Sequence, residues 1–163
     1  MVYLLFEPIE IILRMKTYNS KSLEETQKIA EELGVSLTKG SIITLYGDLG
    51  SGKTTFVQGL AKGLGIDRRL NSPTFIIVRS YKLKTTAKNL KSFYHIDLYR
   101  IQNEKEIEGL GLKEIMSDPQ NIVAIEWAEK LGTLLPEKRT DIKLEYVDEN
   151  RRSMSIYDYT PGV

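Results

Sequence analysis

The chain has no cysteine. That absence excludes disulfides, thiolate zinc sites and cysteine nucleophiles, and it fits a reducing compartment, so the expected location is the cytoplasm. Histidine and tryptophan each occur once, as His95 and Trp127. On a strand between Tyr94 and Ile96 a lone histidine is more often a packed or hydrogen-bonded side chain than a catalyst. Charge of one sign is also missing. A formal net charge of +1 gives no broad basic footprint for nucleic acid and leaves room only for a local patch. No apolar run is long enough to cross a membrane. Residues 1–14 are apolar but broken by Glu7, Pro8 and Glu10. They lack a basic leading segment and a small-residue cleavage site, which makes a poor signal peptide. There is no internal repeat, low-complexity tract or long linker. With 163 residues, 41% of them hydrophobic, one globular domain with an adequate core is expected.

What the chain does have is Gly47-Asp48-Leu49-Gly50-Ser51-Gly52-Lys53-Thr54, which fits the P-loop pattern of glycine, four residues and Gly-Lys-Ser/Thr. The pattern carries a chemistry. A glycine-rich turn lets backbone N–H groups converge on phosphate oxygens, a lysine reaches the β- and γ-phosphates, and a hydroxyl ligates Mg²⁺. The context is the one this chemistry requires. Ser41-Ile42-Ile43-Thr44-Leu45-Tyr46 reads as a buried strand, and Phe56, Val57, Leu60, Ala61 and Leu64 recur at helical spacing before Gly65. Gly47, Gly50 and Gly52 are expected to permit the close phosphate approach, with the amides from Gly50 to Thr55 lining the nest. Lys53 is expected to neutralise the β/γ-phosphates, Thr54 to ligate Mg²⁺ and Thr55 to bond the α-phosphate. No Asn-Lys-x-Asp guanine signature is present, so adenine is the default base.

Around this unit the pattern predicts a three-layer α/β P-loop fold with a mixed, mostly parallel central sheet. Ser22-Leu23-Glu24-Glu25 is a capping-box signature opening a helix with Ile29, Ala30 and Leu33 inward and Gly34 at its end. Residues 72–83 and 92–99 read as the strands of a hairpin around a polar turn. Residues 104–116 read as helix broken by Gly109 and Gly111, and residues 121–125 as a short apolar strand. Residues 141–147 and 153–159 alternate around Asp148-Glu149-Asn150 and suggest a second hairpin. Residues 1–14 read as an N-terminal extension, either an extra strand or the product of an upstream start, because Met15-Lys16-Thr17 resembles a second start. The domain proper is then 15–163.

P-loop enzymes need a second carboxylate at the exit of a neighbouring strand, to hold Mg²⁺ directly or through water. Asp97 follows Phe93-Tyr94-His95-Ile96, and Glu126 follows Ile122-Val123-Ala124-Ile125. Both qualify as metal and catalytic candidates, since a hard cation prefers carboxylate oxygen. Glu126 could also orient or deprotonate an attacking water. Pro73 forces Ser72 to be extended, which could present Thr74 towards the γ-phosphate as switch loops do. On the residues alone an ordinary turn into a strand is the simpler reading.

Together these residues resemble the TsaE (YjeE) family of small bacterial P-loop ATPases. The run from Gly47 to Thr55, then Ser72-Pro73-Thr74-Phe75, Tyr94-His95-Ile96-Asp97-Leu98-Tyr99-Arg100 and Ile125-Glu126-Trp127 agree in order and spacing. The resemblance covers roughly residues 16–160. Ser51 stands where the family commonly has alanine, and either is small enough for the loop. The resemblance implies ATP and ADP as ligands with Mg²⁺, Asp97 as the Walker B acid, and Glu126 in Mg²⁺ coordination or water activation. It implies a switch-like role for Ser72-Pro73-Thr74, and it places Ser22 to Thr26 and the turn near Arg151 at the border of the adenine. It implies the TsaB and TsaD proteins as partners, tRNA only indirectly and no membrane, and it leaves the oligomeric state open. TsaD transfers threonylcarbamoyl to the adenosine next to the anticodon, and hydrolysis by the ATPase supports turnover of that complex. Two other activities fit the loop alone: a small-molecule or nucleoside kinase and a non-hydrolysing nucleotide sensor. Kinases of this class usually carry an arginine-bearing lid, and residues 104–116 contain no arginine.

Overall fold

A computed structural model describes residues 11–67, 70, 73, 75–84 and 89–161, with side chains left undescribed at 11–13 and 160–161. In chain order the elements are β1 (Ile11–Ser20), α1 (Leu23–Ser36), β2 (Ser41–Tyr46), α2 (Lys53–Gly63), β3 (Val78–Lys82), β4 (Ser92–Asp97), α3 (Glu104–Glu108), α4 (Leu112–Ser117), β5 (Asn121–Glu126), a 3₁₀ segment (Ala128–Leu134), β6 (Arg139–Tyr146) and β7 (Arg152–Pro161).

One seven-stranded sheet runs in the order β1-β7-β6-β2-β5-β4-β3. Its four central strands, β6, β2, β5 and β4, are parallel. The outer pairs β1–β7, β7–β6 and β3–β4 are antiparallel. The sheet is therefore mixed, with the parallel strands at its centre. Parallel strands buried on both faces need apolar residues at every position, and all of Asn121–Glu126 is buried. Alternate residues of β5 then serve opposite faces. Ile122 and Ala124 pack with Ala30 of α1 and Phe56, Val57 and Leu60 of α2. Val123 and Ile125 pack with Ile107, Leu112 and Leu131 on the other side. These are the three layers.

Two local departures from the sequence reading concern the hairpin strands. The first begins at Val78, not Ser72, because the Pro73 carbonyl accepts hydrogen bonds from the N–H groups of Ile76 and Ile77 and closes a turn. The second ends at Asp97, not Tyr99. There the Asp97 carboxylate accepts from the Tyr99 N–H at 2.9 Å and turns the chain out of the sheet. Ser72 and Thr74, on which the switch-loop expectation rests, lie outside the described residues. At the other end of the chain, β1 pairs with β7 from Ile11 to Ser20, so Met15 lies within a strand whose pairing begins four residues earlier.

Helices α1 and α2 approach closely enough to require glycine at their contact. A Cβ on Gly59 would lie 2.2 Å from the Gln27 carbonyl oxygen, and one on Gly63 would lie 2.2 Å from that of Glu31. Both obstacles are backbone, so the helices themselves would have to separate. Gly59→Ala is expected to lower the unfolding free energy by about 1–3 kcal/mol, the usual cost of overpacking. Chemical denaturation measures this, and a change within about 0.5 kcal/mol, the range for an inert surface substitution, would contradict the packing.

Candidate functional site

The loop at residues 47–54 leaves the carboxyl end of β2, where open α/β sheets place their ligands. Gly47, Gly50 and Gly52 have φ of 140°, 80° and 101°, values that favour glycine. At Gly47 there is a further demand, because a Cβ would meet the Leu144 carbonyl oxygen at 2.3 Å. Gly52 precedes α2 without a side-chain cap. The first N–H groups of that helix, around Lys53, Thr54 and Thr55, are therefore not spent on a capping side chain and point to the loop's mouth with the positive end of the helix dipole. Asp48, Leu49 and Gly50 form the loop's exposed tip, while Ser51 is buried behind it.

Lys53 is buried, and its ammonium is folded back on its own loop. Nζ donates to the carbonyls of Gly47 at 2.5 Å and Asp48 at 2.9 Å, and it stands 4.0 Å from the centroid of the Trp127 ring. Burial lowers its pKa, against the pull of Glu126, Glu129, Asp97 and Asp48 in the opposite direction. Trp127 follows Glu126 with a left-handed φ of 59°, and its ring packs on Tyr99 with centroids 5.1 Å apart. Any anion that draws the ammonium off its carbonyls also takes a charge from the indole face. Nucleotide binding is therefore expected to change Trp127 emission, and Lys53→Ala to change it without nucleotide. Titration of the single tryptophan checks both, and an emission indifferent to nucleotide would contradict the coupling.

Of the two acidic candidates, Glu126 is the one beside the loop. It ends β5, next to β2, in register with Leu45. Thr54 Oγ1 donates to Oε1 and Oε2 of Glu126, both at 3.0 Å, and His95 Nε2 lies 2.8 Å from Oε1. The carboxylate is 2% exposed. Asp97 is buried one strand further out, paired with Glu126 across β4 and β5. Its carboxylate holds the Tyr99 N–H, and its charge acts on Lys53. Among the described residues no group of three or more His, Cys, Asp and Glu side chains gathers to hold a metal. A hydroxyl and a carboxylate in contact at the loop are hard oxygen donors and fit Mg²⁺, which keeps most of its shell as water and substrate phosphate.

The side chains expected to border the adenine make local hydrogen bonds. Ser22 Oγ accepts from the Glu25 N–H at 3.2 Å as the cap of α1. Thr26 is buried, with Oγ1 bonded to Ser20 Oγ at 2.7 Å and to the Ser22 carbonyl at 3.2 Å. Arg151 lies exposed on the β6–β7 turn, its Nε 2.6 Å from Asp148 Oδ2. The residue that reaches the loop is its neighbour Arg152. Nη2 of Arg152 donates to the Gly50 carbonyl at 3.3 Å, and Nη1 donates to the Asp148 and Arg151 carbonyls at 2.6 and 2.8 Å. The guanidinium also stacks 4.7 Å from the Tyr146 ring. A signal for it was present in the sequence, because Arg152 shares the period of 2 with the fully buried Met154 and so faces inward. Its Nε is buried without a partner, as is Ser51 Oγ in the loop. These two orphaned polar atoms beside an amide-lined turn suit a site that binds an anion.

A glycine turn between a central parallel strand and a helix, with a buried carboxylate on the adjacent strand touching the loop threonine, defines the P-loop class of nucleotide-binding α/β proteins. Residues 20–154 match the family described as threonylcarbamoyl adenosine biosynthesis protein TsaE. The chain belongs to the TsaE family. It is 38% identical over 144 residues to the tRNA threonylcarbamoyladenosine biosynthesis protein TsaE of Bacillus subtilis, covering 88% of this chain and 84% of that protein. It is 33% identical over 137 residues to the protein of the same name from Treponema pallidum, covering 84% and 96%. The crystal structure of YdiB from Bacillus subtilis superposes with a TM-score of 0.73 at 29% identity, covering 91% of this chain and 88% of that one. Among the described residues no helix is long and apolar enough to cross a membrane.

Proposed function

We propose that this protein is an ATP-binding and ATP-hydrolysing accessory subunit of tRNA N6-threonylcarbamoyladenosine synthesis, acting through the TsaB–TsaD complex in the cytoplasm. The observation that carries the catalytic part is the buried Glu126 carboxylate held against Thr54 at 3.0 Å. A carboxylate in that place can serve Mg²⁺ beside Thr54 and can also take a proton from an attacking water, the step that hydrolysis adds to binding. The family and the names of its relatives support the pathway, as does the absence of a guanine signature for the base.

Each residue then has a task. The loop amides and the N-terminus of α2 receive the phosphate chain. Lys53 exchanges the Gly47 and Asp48 carbonyls for phosphate oxygens, gaining anionic acceptors in place of neutral ones. Mg²⁺, held by Thr54 with Glu126 or Asp97 directly or through water, would neutralise charge on the β- and γ-phosphates. Glu126 orients the attacking water and accepts its proton. Arg152 fixes the Gly50 carbonyl and so steadies the loop from the side of β7.

Hydrolysis by the isolated chain is expected to be slow and to rise on adding TsaB and TsaD. Phosphate release measured with and without the two proteins tests this. Unstimulated hydrolysis alongside normal ATP binding would overturn the accessory role.

A further inference from the structure

His95 lies behind the loop, and phosphate binding by itself does not call for it. It sits on β4 and is 0% exposed. Its register partners are Ala124 on β5 and Arg79 on β3. Nε2 comes within 2.8 Å of Glu126 Oε1. A carboxylate accepts, so Nε2 carries the hydrogen and donates. Nδ1 is buried without a partner. An aliphatic side chain would fill the same volume with no orphaned polar atom, so packing alone does not explain an imidazole here.

The other hold on Glu126 comes from Thr54, and it is a poor anchor. A hydroxyl has one hydrogen, shared here between both carboxylate oxygens at 3.0 Å. Thr54 also belongs to the loop whose oxygens must serve an incoming cation. His95 instead projects from β4, a strand hydrogen-bonded on both sides, to β3 and to β5. We propose that His95 is a positioning residue: it ties Oε1 of Glu126 to the sheet and fixes the plane of the carboxylate, so that Oε2 stays directed at Thr54 while the loop is loaded and emptied. This rests on the reading of Glu126 as part of an ATP site.

Three variants test it. His95→Gln sets an amide N–H close to the position of Nε2. The amide of His95→Asn stops short, near Nδ1, and His95→Leu fills the space without a donor. The readouts are the ratio of ADP affinities with Mg²⁺ and with EDTA, the kcat and KM of ATP hydrolysis with TsaB and TsaD present, and thermal unfolding. His95→Leu and His95→Asn are expected to lower kcat and the Mg²⁺-dependent affinity gain by roughly 10–100-fold, the usual scale for losing an outer-shell partner. KM for the Mg²⁺ nucleotide is expected to rise with the lost gain, whereas the affinity in EDTA is expected to change little. His95→Gln is expected to restore most of both losses. Glutamine and asparagine variants equally impaired, a leucine variant with unaltered kcat and Mg²⁺ dependence, or loss of folding in all three would overturn the proposal. Should the leucine variant alone fail to fold, the glutamine–asparagine pair decides. Should the unaltered protein fail to hydrolyse ATP with its partners, the ATPase reading falls, and the Mg²⁺-dependent affinity ratio still decides the positioning of Glu126.

Discussion

Glu126→Ala is expected to lower ATP turnover with TsaB and TsaD by roughly 10²–10⁴-fold, the range for loss of a general base. The carboxylate is 2% exposed and bonded to Thr54 and His95, so no water-borne base replaces it easily. The substitution also leaves the Thr54 hydroxyl and His95 Nε2 without their acceptor, which costs about 1–3 kcal/mol for a buried donor. Folding must therefore be followed by thermal unfolding in parallel. Glu126→Gln is the cleaner partner variant, since an amide keeps a hydrogen-bonding group in place but cannot take a proton. Both variants are expected to keep the ATP binding that the loop amides and Lys53 supply in EDTA, and to lose part of the gain that Mg²⁺ adds. Phosphate release by either variant within about threefold of the unaltered protein would be far below the loss of a base and would remove Glu126 from the chemistry.

Lys53→Ala is expected to weaken ATP and ADP binding by at least about tenfold. A charge-assisted bond to phosphate contributes about 1.5–3 kcal/mol, and every 1.4 kcal/mol is about tenfold in affinity. The effect on folding is expected to be small. Burial lowers the pKa of Lys53, so at neutral pH its charge is less favourable in the folded than in the unfolded chain. Deleting it removes that penalty as well as the bonds to the Gly47 and Asp48 carbonyls. Calorimetric titration measures the affinity, and an unchanged value would refute the role of Lys53.

The loop, its strand and its helix were legible because their signals are local. Glycine at fixed offsets, a β-branched run before it and helical spacing after it need no partner elsewhere in the chain. The short strand at Asn121–Glu126 was legible for the same reason. The ranking of Glu126 and Asp97 was not, because both end apolar strands and only the sheet order puts β5 rather than β4 beside β2. Sequence reasoning did not single out Arg152, the arginine that contacts the loop. Arg151 stands out in a polar turn, whereas Arg152 reaches Gly50 across a separation of 102 residues, a contact fixed by the β6–β7 register. Ser22 and Thr26 were read towards a ligand, while their hydroxyls close the β1–α1 junction.

The most direct test of the site is a crystal structure of the chain with Mg²⁺ and a non-hydrolysable ATP analogue. Expected are phosphates on the amides of residues 50–55, Lys53 Nζ moved from the Gly47 and Asp48 carbonyls onto them, and the cation on Thr54 at the Glu126 side. An analogue bound elsewhere, or phosphates in the loop with Lys53 still on its carbonyls and Glu126 remote from the cation, would contradict the assignment.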